Sequence, residues 1–372
     1  YQQLSSESAV LPQLRPTEGA GGEASILPKG ARVDGDYGFI GRGRDIQRLE
    51  RAMLRQPQAA TLIHGQAGVG KTSLAKGFLR WLSQTGGLRE NVFWFNFQKI
   101  HSAEYVINQL LDELANTSSL AKPKEEKQKI LTQLLRNRSC LLVWDNFESA
   151  SGIDGTEIQP QLSAEDRDIL ARLLKELRAG KTKVLLTSRN EESWLPVSSC
   201  YRLPLVGLAG EDLWEYCNAV VRDLGLTLDR SNETYAAILD RLCGNPLAIR
   251  SILLRLQHCS ARQLLTDLKS SFEGMEGDES TRRLQAAYAV FGSSLTERYL
   301  PVLQVTGLHD FHVDADYVKA MLNATGYPVE PDMVNACYHI LENAGFCTHI
   351  GQNVYQLHPA LHKCLHLARF GE

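Results

Sequence analysis

Four side chains have the types and settings that phosphate chemistry needs: Lys71, Thr72, Asp145 and Arg189. The first two close the run Gly65-Gln66-Ala67-Gly68-Val69-Gly70-Lys71-Thr72, with Ser73 after it, which has the spacing of a phosphate-binding loop. Such a loop turns a row of backbone N–H groups and a helix N-terminus toward an anion. Lys71 would then reach the β- and γ-phosphates, and the Thr72 hydroxyl would coordinate Mg²⁺. Asp145 ends the apolar run from Cys140 to Trp144, where a carboxylate can hold the same magnesium ion; the competing reading is a residue that starts a turn. Arg189 ends the run from Lys183 to Ser188, placed to sense a terminal phosphate; the competing reading is a surface partner for Glu191 or Glu192. Together these residues point to binding of a nucleoside triphosphate or diphosphate.

The elements that must position them are legible on both sides. Thr61-Leu62-Ile63 reads as a buried strand entering the loop. Leu74, Ala75, Phe78, Leu79 and Leu82 recur at helical spacing after it, and Gly86-Gly87 supplies a stop. Upstream, a helix carries Ile46, Leu49, Met53 and Leu54 on one face and ends at Pro57. Downstream come a strand at 91–97, a helix at 105–114, and a polar stretch at 116–129 read first as surface loop and then as the approach to a helix through Ile130, Leu131, Leu134 and Leu135. Ser163 and Asp166 form a capping-box pattern that opens a helix ending at Gly180. Tyr201 to Val206 reads as an edge strand, because Pro204 removes a ladder donor. Repeated β–α alternation of this kind predicts an α/β domain with a doubly wound parallel sheet.

From 209 to 268 the pattern is helical throughout, with Gly244 and Pro246 punctuating two helices. An acidic, glycine-containing stretch at 271–280 reads as a boundary. Helices are then expected at about 281–291, 294–305, 314–323 and 331–344, followed by a hairpin over 346–357 and a closing helix from Pro359. The divisions that follow are a flexible linker over 1–36, a phosphate-loop domain over 37–207, a small helical domain over 208–275 and a winged-helix domain over 276–372. A 372-residue chain is long enough for two or three cores.

Bulk properties narrow the classes. The chain is 43% hydrophobic and 22% charged with a formal net charge of −3, values of a globular protein without a broad nucleic-acid-binding face. No run reaches the length of a membrane span, and no secretory signal opens the chain. Eight scattered cysteines without a Cys-x-x-Cys pair fit reduced thiols and a cytoplasmic setting. The opening Tyr1 and the linker-like segment suggest a piece of a longer protein.

The order of motifs carries a resemblance. Phe39-Ile40-Gly41-Arg42, the loop at 65–72, Leu142-Val143-Trp144-Asp145, Thr187-Ser188-Arg189, Gly244-Asn245-Pro246-Leu247-Ala248 and Leu357-His358-Pro359 are similar to the successive signatures of the STAND nucleotide-switch ATPases, the class that contains NB-ARC proteins. The stretch Trp144 to Ser149 resembles bacterial multidomain members. By that resemblance Phe39, Ile40 and Arg42 line adenine, residues 65–73 hold the phosphates of ATP or ADP, and Thr72 and Asp145 hold Mg²⁺. Arg189 senses the γ-phosphate, Pro246 packs on adenine and ribose, and His358 contacts the β-phosphate of ADP.

The resemblance further implies a nucleotide-dependent switch, closed and autoinhibited with ADP. ATP exchange would open it to form a homo-oligomer and activate an attached N-terminal effector, with a sensor or repeat region on the C-terminal side. Many members carry a second acidic residue after the magnesium aspartate; here that position is Asn146, with Glu148 the nearest carboxylate, so slow ATP hydrolysis is expected. The alternative is a DNA-binding ATPase of the replication-initiator type. Charge opposes it, since the last helix offers only Lys363 and Arg369 for a phosphate footprint.

Overall fold

Five strands form one parallel sheet: β1 (Ala60–His64), β2 (Asn91–Asn96), β3 (Cys140–Asp145), β4 (Lys183–Ser188) and β5 (Cys200–Pro204), in the order β2-β3-β4-β1-β5. This is a computed structural model, and it describes residues 39–369 except 88–90, 116–120, 154–157, 223, 296, 327–329 and 331, and except the side chains of 297, 363 and 366–369. The linker expected over 1–36, the start of the loop expected from 116, and the side chains of Lys363 and Arg369 therefore lie outside the described residues.

The inner strands are apolar on both faces because helices cover both. Leu142 and Trp144 of β3 face α3 (Ala103–Leu114), α4 (Lys124–Asn137) and α6 (Ala164–Glu176). Val143, one residue along, faces α1 (Gly43–Arg55) and α2 (Lys71–Gln84) with Leu185 and Ile63. The single turn α5 (Glu148–Ser151) follows β3 directly. β5 lies at an edge, as Pro204 requires. The register sets His64 of β1 level with Ser188 of β4 and with Pro204 of β5, so the phosphate loop leaves the sheet beside the ends of β3 and β4.

A second core joins α7 (Gly210–Arg222), α8 (Glu233–Arg241), α9 (Pro246–Leu253) and α10 (Ala261–Glu273) around Cys217, Ile238, Ile249, Ile252 and Leu264. The next helix, α11 (Glu279–Gly292), gives Ala287 and Val290 to that core, and Tyr288 and Phe291 to a third. The third core packs α12 (Leu300–Thr306), α13 (Ala315–Ala324), α14 (Met333–Asn343) and α15 (Ala360–Arg369) against a small sheet. That sheet has β6 (His312–Asp314), β7 (Cys347–Gly351) and β8 (Val354–Leu357) in the order β6-β8-β7, all antiparallel, as in a winged helix.

Several expectations need correction. Leu54 points to solvent, and Ala52 takes its place on the buried face of α1. Within the polar stretch at 116–129, the helix through Ile130, Leu131, Leu134 and Leu135 begins at Lys124, because its acidic first turn suits a helix N-terminus. The helix expected over 294–305 is a short 3-10 turn at Glu297–Tyr299 followed by α12, with Pro301 in the first turn. Strand β6 was not anticipated: three residues carry no periodicity, and pairing with β8 creates the strand.

Candidate nucleotide site

The loop 65–70 leads into α2 with Gly70 at its N-cap in the left-handed region, φ 95°. Gly68 (φ 73°) is pressed against a different part of the chain: an added Cβ would stand 2.8 Å from Leu247 Cβ and 2.9 Å from Asn245 Oδ1. Lys71 Nζ donates to the carbonyls of Gly65 and Gln66, both at 2.8 Å, and burial lowers its pKa to about 8 against the pull of Glu148. Lys71 also lies within electrostatic reach of Asp145 and Arg189.

Asp145 is 4% exposed and accepts from Thr72 Oγ1 at 2.8 Å and Thr187 Oγ1 at 2.5 Å. Burial raises its pKa while the two hydroxyls oppose the rise. The aromatic column Phe97, Trp144, Phe147 and Trp194 packs beside the end of β3 and fixes the direction of the chain there. Asn146, at φ 55°, donates through Nδ2 to Asn96 Oδ1 and through its backbone N–H to Thr187 Oγ1. Hard oxygen donors from Thr72 and Asp145 within hydrogen-bond distance of each other, at the C-terminal edge of the sheet, fit a Mg²⁺ ion.

Arg189 pairs with Glu148, Nε to Oε1 at 3.1 Å, and not with Glu191 or Glu192. Glu192 is buried and accepts instead from Ser188, Trp194 and Ser151. His358 reaches the same corner from the far end of the chain, between β8 and α15. Its backbone N–H donates to Phe346 O, and its Nδ1 accepts from Ala360 N–H at 3.1 Å, which puts the ring proton on Nε2. Burial, then the charges of Arg189 and Lys71, push its pKa down to about 3. Lys71, Arg189 and His358, scattered over 288 positions of sequence, are thus within electrostatic range of one another.

The remaining candidates lie on α9, at the start of α1 and along α2. Asn245 caps α9 through Oδ1 and donates through Nδ2 to Ala67 O at 2.8 Å; Leu247 N–H donates to Gly68 O. Pro246 opens α9, and its carbonyl accepts from Tyr216 Oη. The Arg42 guanidinium is committed to Val69 O, Val206 O and Asp45, so it ties the phosphate loop to the exit of β5. Phe39 lies against α2 at Gly77, where a Cβ would stand 2.6 Å from its ring, and Ile40 is half-buried just before α1. Val69 is buried and Ser73 is exposed on the first turn of α2. Sequence reasoning missed Thr187 and Asn245 as site residues. Position gave Thr187 away, two residues before Arg189 on a strand of alternating faces, and Asn245 showed itself as an N-cap before a proline.

Comparison with known proteins agrees with this geometry. Residues 59–216 match the NACHT domain. Over 303 residues the chain is 23% identical to a probable disease resistance protein of Arabidopsis thaliana, covering 76% of this chain and 32% of that protein. A STAND protein with a tetratricopeptide repeat sensor from Pyrococcus horikoshii superposes with a TM-score of 0.55 at 17% identity, over 90% of this chain and 44% of that one. The chain therefore spans less than half the length of either. The ORC2 protein of Aeropyrum pernix gives a TM-score of 0.38 at 16% identity over 88% of this chain and 91% of its own, too distant a likeness to bear on function. No helix among the described residues is long and apolar enough to cross a membrane. Residues 59–216 thus carry a match to the NACHT domain, and the chain shares its fold with a STAND protein.

Proposed function

We propose that this chain is a cytoplasmic ATP/ADP switch in which the nucleotide serves chiefly as a marker of state. The convergence of Lys71, Arg189 and His358 carries the reading, because it sets the phosphate loop, the end of β4 and the winged-helix segment within electrostatic range of one another. In the proposed assignment, residues 37–207, 208–275 and 276–372 act as three units, with the nucleotide between them. The backbone N–H groups of residues 65–72 and Lys71 bind the phosphates, Phe39, Ile40 and Pro246 flank the base and ribose, and Arg42 holds the loop in shape. Thr72 and Asp145 orient Mg²⁺, which supplies charge neutralisation on the phosphates when bound. His358 donates from Nε2 to the β-phosphate of ADP and keeps the C-terminal half closed.

A ligand that binds the closed arrangement better than the open one stabilises closure by that difference in affinity. ADP would thus hold the module autoinhibited. Exchange for ATP would release the winged helix, permit homo-oligomerisation and activate an attached N-terminal effector in signalling or defence, under a C-terminal sensor. Asn146, a neutral side chain where a second carboxylate could sit, supports slow hydrolysis.

The test is to denature the purified protein and identify the released nucleotide by chromatography. ADP in near-equimolar yield is expected. Protein that carries no nucleotide and binds neither ADP nor ATP when they are added would overturn the proposal.

A further inference from the structure

Two carboxylates stand three positions apart at the end of β3, and they are satisfied very differently. Asp145 has two hydroxyl donors on one oxygen and the Asn146 amide near the other. Glu148 is equally buried, at 4% side-chain exposure, yet its Oε2 has no hydrogen-bond partner among the described residues. Its Oε1 takes only Arg189 Nε, one of five guanidinium donors. A buried carboxylate in that state depends on its arginine, since loss of the pair would leave a desolvated charge. Arg189 is the less confined partner, with 26% of its side chain exposed. Asn146 adds no rival charge, being neutral and turned toward Asn96.

We infer that Glu148 is a specificity-determining residue: it holds Arg189 back from the terminal-phosphate position and so sets how strongly ATP is preferred over ADP. The inference rests on the nucleotide reading above. ADP ends at the β-phosphate and leaves the Arg189–Glu148 pair intact. A γ-phosphate competes with Glu148 for the same guanidinium, and the cost of parting the pair is subtracted from ATP binding alone. A ligand shifts an equilibrium only by its differential affinity for the two states, so this cost biases the module toward its ADP form.

Dissociation constants for ADP and for a nonhydrolysable ATP analogue, measured by calorimetry on the full chain, test this. Glu148→Gln keeps the side-chain size and removes the charge. It should raise affinity for the ATP analogue relative to ADP by about tenfold; the ratio is the readout, because Glu148 also lies within electrostatic reach of Lys71, which acts on both nucleotides alike. In an Arg189→Gln background, adding Glu148→Gln should alter that ratio by less than about twofold, because the guanidinium to be released is gone. Should Glu148→Gln fail to fold, Glu148→Asp withdraws the carboxylate by one methylene with its charge kept, and should shift the ratio in the same direction. An unchanged ratio in a folded Glu148 variant, or an equal shift with and without Arg189, would overturn the inference while leaving the nucleotide reading intact. Wild-type protein that binds neither nucleotide would overturn both.

Discussion

The sheet-edge wall of the site and its C-terminal wall are held by different amounts of bonding. On the first, Lys71, Thr72, Asp145, Thr187 and Arg42 are tied by hydrogen bonds of 2.5 to 3.1 Å to the loop, to one another and to neighbouring residues, with Asp145 and Thr187 on buried strands. On the second, the loop is touched by Asn245 Nδ2 on Ala67 O and by Leu247 N–H on Gly68 O. His358 stands over the corner with its own bonds directed at Phe346 and Ala360. Helix α9 links the two walls: Arg250, one turn along, donates to the carbonyls of Glu342 and Asn343 at the end of α14, and Leu247 is buried in the winged-helix core. A wall so bonded is a fixed template, and a wall held by a few contacts can part from it. That asymmetry is what a reversible clasp requires.

Breaking the fixed wall should have the largest effect. Lys71→Ala removes the charged donor for the phosphates and should weaken ADP binding by about 100-fold, read by calorimetry; retained wild-type affinity would show that the loop is not the site. Forcing the walls apart comes next. Gly68→Ala puts a Cβ into Leu247 and Asn245 at a left-handed position, and should cost about 2 kcal/mol of stability in denaturant unfolding. A wild-type midpoint in that variant would mean that α9 does not bear on the loop.

Acid should act on the second wall through His358, and by less. The pKa of His358 is lowered in the closed form, so the open form, with the ordinary value near 6.5, takes up the proton first. The His358 contribution to closure is therefore complete above about pH 6.5 and is lost as pH falls toward 3. From pH 7.5 to 5.5 this linkage should shift the nucleotide-free chain toward the open form by at most about tenfold, read by hydrodynamic size, and His358→Asn should flatten the dependence. A dependence that survives in that variant would assign it to another group.

Much of the first wall could be read from residues alone, because each part is local. Strand, glycine turn and helix follow one another through 60–84, and Asp145 and Arg189 stand at the ends of apolar runs. The second wall was legible only as a list of motifs. Nothing near Gly68 announces that Leu247 will press on it, and nothing near Arg189 announces Glu148, since 179 and 41 positions separate the partners. Arg42 shows the converse: its place in a motif suggested a base contact, while its αL backbone and three acceptors make it a strut for the loop. Strand β6 and the exposed Leu54 were missed because tertiary pairing and burial, not periodicity, decide them.

The central claim, that the C-terminal wall closes on the nucleotide, is tested most directly by the rate at which fluorescently labelled ADP leaves the wild-type chain and His358→Ala at pH 7.5. The account predicts release about tenfold faster from the variant, with Lys71 and the rest of the fixed wall unaltered. Equal release rates from the two proteins would contradict it.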